Sequence, residues 1–505
     1  MILDSKLVSK INNMASHLPI LSITQMRELD KRTIVEDLPL LTLMENAGRS
    51  AFEFYLERWD DSPMHLMVGK GHNGADGIVM GRWAAAHGLN VTIYGNKDDL
   101  GEVGEIQWRL ARKEGAKWSR KTPEKLGDKN GIIVDCLLGT GAKGAPRKSS
   151  SQWISGANKA QFKGRMALDS PSGIDMDDGS KKGVAFKADL TVTFAYLKPG
   201  LLLNHGRKYS GEVCIAYIGI PTKLDFKPMG YMPNRESIKE MLIDFPADGH
   251  KGTAGRLGIW AGSDKYPGAA RLAMEGALRS GTGVIHWIGQ SNDIPPEIIQ
   301  EKKLANEIAK IDAWAIGPGL GRSSKTVKTL KSQLKKITCP TVVDADALNA
   351  FSGKGDPEKR LKALGSEIGE RVLTPHHAEA ANLLCGDIKK LESNRIEAAK
   401  EISNMSGATT LLKGSPTLIS KGNNPIFFID SGNKNLATGG SGDVLSGLIG
   451  GLLSQKINPL DSAIIGSWIH GRAGSIIAEN GTPRQSVSAS DIAESIKSAW
   501  MELNV

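Results

Sequence analysis

Short apolar runs, separated by glycine and by amphipathic stretches, recur along most of the chain. In the first part they are MHLMV (64–68), NVTIYG (90–95), GIIVDCLL (131–138), RMALD (165–169), LTVTFA (190–195) and VCIAYI (213–218). After Lys251 they resume as RLGIWAG, GVIHWIG, AWAIG, TVVDA, RVLTP, TTLLK, TLIS and IFFI. Runs of this kind predict buried strands, and the stretches between them predict crossover helices, so an α/β protein with mainly parallel sheets is expected. Between the two series, residues Gly219 to Asp248 carry Pro221, Pro228, Pro233 and Pro246 among charges, a composition that interrupts regular elements. We therefore expect an N-terminal extension (1–20), a first domain (21–225), a linker (226–245) and a second domain (246–505). No short-period repeat relates the halves, so two different folds are expected.

Composition narrows this picture. A chain of 505 residues exceeds one ordinary core. Its 58 glycines, 40% hydrophobic and 5% aromatic residues suit an α/β protein rich in tight turns rather than disorder. The charge of +9 is spread along the chain, which suits anionic small molecules but supplies no stripe for nucleic acid. Cys136, Cys214, Cys339 and Cys385 lie far apart without metal-ligand spacing and are expected as buried free thiols in a reducing compartment. No run reaches the roughly 18 apolar residues of a membrane span. The start MILDSKLVSKINNM lacks a signal-peptide core, so a cytoplasmic location without a membrane partner is expected.

Candidate chemistry sits at the strand ends. GKGHNGADG after the strand at 64–68 places Gly69, Gly71 and Gly74 at a helix opening, where bare amides can hold phosphate. The usual ribose-binding acid is missing: VTIYG runs into Asn96 and Lys97, which disfavours an ordinary dehydrogenase. Asp135 in VDCLLGTGAKGAPR and Asp169 in LDSPSGID each end a predicted strand, where open α/β sheets bind ligands. An aspartate there also serves as a helix cap or turn former.

Taken together, LMENAG (43–48), GHNGADG, VDCLLGTG, DSPSGID and LKPG resemble the NAD(P)H-hydrate epimerase family over about 200 residues. The resemblance implies a Rossmann-like three-layer αβα domain. It implies that His72, Asn73, Gly74, Ala75, Asp76, Gly139, Thr140, Gly141, Ala142, Lys143, Gly144, Ala145 and Asp169 line a site for the hydrated nucleotide. It also implies that Asn73, Asp135 and Ser172 hold a potassium ion, and hard oxygen donors do suit an alkali cation. On this reading Asp169 exchanges protons with the substrate and Lys198 supplies positive charge, interconverting the configurations at carbon 6 of the hydrated nicotinamide ring.

In the second half ATGGSGD ends at Asp443 and is followed by VLSGLIGGLLSQ, whose apolar residues repeat at helical spacing. A glycine-rich loop at a helix start can receive a phosphoryl group beside the aspartate, although a plain capped helix also reads this way. GLGRSSKT from Gly319 lacks the glycine before lysine that a P-loop needs. With HKGTAGRL, AGSDKYPGAARLAMEGALRSGTG, GPGLG, DADALN, TPHHAE and LKGSPT in order, the half resembles ribokinase-like α/β proteins, and among them the ADP/ATP-dependent NAD(P)H-hydrate dehydratases.

That resemblance implies adenine-nucleotide binding by Lys413, Gly414, Ser415, Pro416, Thr417 and Gly442, and contact with the hydrated dinucleotide by Ala254, Gly319, His376 and Asp443. His377 competes with His376, and a lone histidine also packs or caps. Asp344, Asp346 and Asn349 either support magnesium or cap strand ends. Asp443 is expected to deprotonate the ring hydroxyl as it attacks the terminal phosphoryl group of ADP or ATP, with magnesium bridging the phosphates. A homo-oligomer is expected by resemblance. The alternative is a ribokinase-type small-molecule kinase with a noncatalytic N-terminal binding module.

Overall fold

A computed structural model describes residues 17–244, 246, 248–302, 310–353, 355–365 and 369–504. The chain divides into two compact units, residues 1–229 and 230–505. In the first, seven strands form one sheet: β1 (Met64–Val68), β2 (Val91–Tyr94), β3 (Lys117–Trp118), β4 (Asp128–Cys136), β5 (Phe162–Leu168), β6 (Leu190–Phe194) and β7 (Glu212–Ala216). Their order is β3-β2-β1-β4-β5-β6-β7 and every pair is parallel. The chain proceeds outward from β1 in one direction and from β4 in the other, so the loops after these two strands diverge and leave a crevice. All five residues of β1 are buried, which accounts for its continuous apolar run. Apolar side chains of the helix Leu40–Trp59 and of the sheet share one core.

The second unit holds β8 (Gly230–Pro233), β9 (Arg256–Trp260), β10 (Val284–Ile288), β11 (Ile298–Glu301), β12 (Ala313–Ile316), β13 (Thr341–Val343), β14 (Arg371–Leu373), β15 (Thr409–Leu412), β16 (Thr417–Ser420) and β17 (Ile426–Ile429). Within the unit the order is β8-β17-β16-β15-β14-β13-β12-β9-β10-β11. Only the β15–β16 and β16–β17 pairs are antiparallel. The helix Ser441–Ser454 packs on the helix Pro267–Leu278 at very short range. A Cβ on Gly276 would lie 2.0 Å from the Val444 carbonyl oxygen, and one on Gly447 would lie 1.8 Å from that of Ala273. Glycine at both positions lets the backbones touch and sets the height of the helix that carries Asp443.

Three expectations differ from this architecture. The stretch 226–245, expected as a linker, contains β8 and a helix, Arg235–Glu240, started by a capping box between Asn234 and Ser237. Pro228 and Pro233 flank or end the strand instead of interrupting it. Of the expected extension, residues 1–16 lie outside the described residues, while His17–Ile20 is a strand whose Ile20 is buried and bridges Leu197. All four cysteines are free, but only Cys136 and Cys214 are buried as expected; Cys339 is half-buried and Cys385, which ends a helix in the left-handed conformation, is exposed. No described helix is long and apolar enough to cross a membrane.

Candidate functional site

In the first unit the loops after β1, β4, β5 and β6 surround a cavity of about 940 Å³. The turn after β1 is crowded in a way only glycine permits: a Cβ on Gly69 would sit 1.9 Å from the Leu137 carbonyl oxygen, and one on Gly74 would sit 2.0 Å from that of Gly69. The helix His72–Ala86 then starts without a side-chain cap. His72, Asn73, Asp76, the loop Gly139 to Ala145, Asp169 and Lys198 all line the cavity. Gly74 and Ala75 do not; their backbone builds the turn and Ala75 is buried.

Asp169 occupies the left-handed region (φ 59°) directly after β5, which turns its carboxyl toward β6 and the cavity. The buried Lys198 ammonium donates to Asp169 Oδ1 (2.8 Å), Thr193 Oγ1 (2.9 Å) and the Phe194 carbonyl (2.8 Å). Burial pushes the Asp76 carboxyl well above the carboxylate range, and Asp169 and Asp30 add to the rise. Asp30, which the sequence reading missed, also lines the cavity. It sits on the helix Ile23–Glu36, in a charged segment that reads as a solvated face.

Beneath the cavity Asp135 accepts from the Ser172 amide (2.8 Å), the Ser172 hydroxyl (2.8 Å) and the Leu137 amide (3.2 Å). Burial raises its carboxyl to about 6 despite these bonds. Asn73 donates to the Leu138 and Leu168 carbonyls, which leaves its buried Oδ1 without a partner. An acceptor oxygen stranded this way costs free energy unless something positive meets it.

In the second unit the chemistry converges because β12, β13, β14 and β15 are parallel neighbours whose carboxyl ends all point the same way. Gly317 to Gly321 follows β12, Asp344 follows β13, His376 lies just after β14 and Lys413 follows β15. Lys413 Nζ donates to Asp344 Oδ1 (2.8 Å), while the Ser446 hydroxyl donates to Asp344 Oδ2 (2.5 Å). Burial opposes ionisation of Asp344, but Lys413 and the hydroxyls of Ser446 and Thr374 outweigh it and hold the carboxyl below the usual range. Asp346 accepts from the Gly321 amide and the Arg322 side chain, both at 2.8 Å.

The glycine-rich loop stands at a helix entrance: Gly440 caps the helix in the left-handed conformation (φ 89°), with no side-chain cap. A Cβ on Gly442 would lie 3.4 Å from Lys413 Nζ, so the lysine and the first helical turn face one spot. Asp443 stands in that turn. Burial raises its carboxyl to about 7, with Asp344, Asp346 and Glu379 pushing upward and Lys413 opposing. His376 does cap: its Nδ1 accepts from the Ala378 and Glu379 amides, and its own amide donates to Glu379 Oε2 (2.9 Å). The ring proton then belongs on Nε2, which lies 3.5 Å from Glu379 Oε1 on a half-exposed side chain.

The other expected residues are placed less centrally. Gly414 to Thr417 forms a tight turn gripped by Arg395, whose guanidinium donates to the Ser415 and Pro416 carbonyls; the sequence reading missed Arg395 and Glu379. Gly319 has φ 64° and its carbonyl accepts from the Ser263 hydroxyl. Ala254 is buried beside Gly283, whose amide donates to its carbonyl. Asn349 lines a separate cavity of about 400 Å³ with Arg322 and Cys385.

Comparison with known proteins decides the family. Residues 257–498 match the family model described as NAD(P)H-hydrate dehydratase, and residues 40–200 match that of the YjeF-related protein N-terminus. The bifunctional NAD(P)H-hydrate repair enzyme Nnr of Escherichia coli is 35% identical over 458 residues, covering 87% of this chain and 86% of that protein. The chain belongs to the bifunctional NAD(P)H-hydrate repair enzyme family. Its counterpart in Coxiella burnetii is 32% identical, over 91% of this chain and 95% of that protein. A repair-family member in Moorella thermoacetica is also 32% identical, over 90% and 92%. Among solved structures, the ADP/ATP-dependent NAD(P)H-hydrate dehydratase of Bacillus subtilis, co-crystallised with ATP and magnesium, is 28% identical and covers 54% of this chain and 97% of its own, with a TM-score of 0.48. Membership of the repair-enzyme family supports neither a plain small-molecule kinase nor a noncatalytic N-terminal half.

Proposed function

We propose that the first unit interconverts the R and S hydrates of NADH and NADPH at carbon 6 of the nicotinamide ring, and that the second dehydrates the S form at the expense of an adenine nucleotide. The observation that carries the second half is Asp443, a carboxylate with a value near 7 beside a helix entrance and a half-buried lysine. Such a group takes a proton near neutrality and gives it up again.

Asp443 removes the proton of the ring hydroxyl while that oxygen attacks the terminal phosphoryl group of ADP, and the bond to AMP breaks. The phosphate ester then eliminates with the proton on carbon 5, forming the ring double bond and releasing phosphate. Gly442 and Lys413 face the phosphoryl group, Gly414 to Thr417 hold the nucleotide, and His376, Gly319 and Ala254 meet the hydrated dinucleotide. Lys413 stays charged there because Asp344 and Glu379 outweigh the cost of its burial. The hard carboxylate oxygens of Asp443 and Glu379, beside Lys413 at the helix entrance, are of the kind that would hold magnesium, which would neutralise phosphate charge there.

In the first unit Asp169 exchanges protons with the substrate and Lys198 holds it in place. The stranded Oδ1 of Asn73, the buried Asp135 and Ser172 fit a potassium ion, which would supply positive charge beneath the ligand loops. The pairing of activities has a chemical reason: hydration yields both epimers, the dehydratase accepts one, and the epimerase supplies it from the other. The free thiols suit a cytoplasmic location, and a homo-oligomer completes the proposal.

The test is to give purified chain a mixed-epimer NADH hydrate with ADP, then with ATP, and follow the return of the reduced-nicotinamide absorbance. Full recovery with release of inorganic phosphate is expected. Accumulation of a phosphorylated substrate would contradict the dehydratase, and recovery stopping at one epimer would contradict the epimerase.

A further inference from the structure

Four carboxylates, Asp30, Asp76, Asp99 and Asp169, line the first unit's cavity, and three of them, Asp30, Asp76 and Asp169, lie close enough to feel one another's charge but differ in their surroundings. Asp169 is ion-paired with Lys198 at 2.8 Å, and Asp76 is buried within the helix His72–Ala86. Asp30 is neither paired nor sealed. It is half-buried, it lines the cavity, and no hydrogen bond or ion pair engages its carboxyl among the described residues. It nevertheless lies close enough to Lys198 and Asp169 to feel both charges. The helix Ile23–Glu36 that carries it is held by a capping box at Ser22 and Gln25 and by an Asp177 Oδ1 that accepts the Ile23 amide. The side chain is thus presented from a fixed element, with free lone pairs facing the space a ligand would take.

We propose that Asp30 is a second acid–base residue of the epimerase, working opposite in role to Asp169. The proposal rests on the epimerase reading of this unit. When carbon 6 is inverted by loss and readdition of water, its oxygen leaves one face and returns on the other, so a proton must be delivered to the departing hydroxyl and another removed from the incoming water. Asp30, as the acid, passes its proton to the hydroxyl as the C6–O bond breaks; water departs and the ring nitrogen's lone pair becomes the C6=N1 bond. Water then adds to the opposite face, its proton goes to the Asp169 carboxylate, and the C6=N1 pair returns to nitrogen. The reverse conversion uses the same two groups with roles exchanged. Burial lifts the Asp30 carboxyl to about 6, with Lys198 opposing and Asp169 adding, which lets it hold or release a proton near neutrality.

The experiment measures equilibration of isolated R hydrate without nucleotide, using the full chain and its Asp30→Asn and Asp30→Glu variants. Asp30→Asn should lower kcat about 100-fold with KM little changed, whereas Asp30→Glu, which keeps the carboxyl, should retain a substantial part of the rate. Dehydration of S hydrate by the second unit, measured in the same preparations, should be unaffected and reports correct folding and dosing. Parental kcat in Asp30→Asn, or a loss confined to KM, overturns the role. If the unsubstituted chain fails to equilibrate the hydrates, the epimerase reading itself falls, and this proposal with it.

Discussion

Each unit pairs a lysine with a buried or half-buried aspartate at 2.8 Å, but the two pairs face differently. Lys198–Asp169 lies at the wall of its cavity, so the paired carboxylate itself meets the ligand space. Lys413–Asp344 lies behind its site: Asp344 is fully engaged by Lys413 and Ser446, and the lysine turns its remaining donors toward the helix entrance at Gly442. There the reactive carboxylate is a separate one, Asp443, whose proton affinity is raised partly by Asp344. The same pair thus serves as a working surface in one fold and as a brace in the other. What sets the difference is whether a further carboxylate stands in front of it.

Removing the front carboxylate tests this most severely. Asp443→Asn should cut the dehydratase kcat by roughly 10²–10⁴-fold. Epimerisation should be untouched, and thermal unfolding should not be earlier, because a buried carboxyl facing three like charges has been neutralised. Retained turnover would mean that the brace, not Asp443, handles the proton. Next in size, Lys413→Met should destabilise the second unit by about 3–5 kcal/mol in denaturant unfolding, since it strands the buried Asp344 charge. A neutral outcome would show that the pair contributes nothing as a brace.

The pH dependence is smaller. Asp443 must be ionised to accept a proton, so kcat/KM for dehydration should rise about tenfold between pH 6 and pH 8 as a group near 7 ionises. A rate that falls over that interval would reverse its role from base to acid. Smallest, exchange of potassium for lithium should slow epimerisation and leave the S-hydrate dehydration rate alone, because the Asn73 and Asp135 oxygens belong to the first unit only. Equal slowing of both reactions would remove the assigned cation site.

Much of the site was legible because its chemistry is concentrated in loops after strands. Asp169 could be read from an apolar run that stops at a charge, Asp135 from a charge set within an apolar run, and the glycine turns from the residues that follow such runs. Asp30 could not, because a lone aspartate within QMRELDKRTIVE has the look of any solvated helix face, and only the fold turns that position inward. Glu379 read as part of a helix start, and its capping contact with His376 is indeed there. Its burial beside Lys413 depends on β14 and β15 lying side by side. The expected linker shows a related limit: proline density marks interruption, but a four-residue strand there ends on one of the prolines, Pro233.

By itself the sequence determined the two-fold α/β character, the strand series and the glycine-rich helix entrances, because burial periodicity and the geometry of glycine act over a few neighbouring residues. The tertiary structure alone decided which carboxylates share a site, which of them is paired and which is left free. Those properties depend on the order of parallel strands and the distance between loops more than a hundred residues apart, as with Asp344 and Ser446, and electrostatic pairing follows distance in space, not position along the chain.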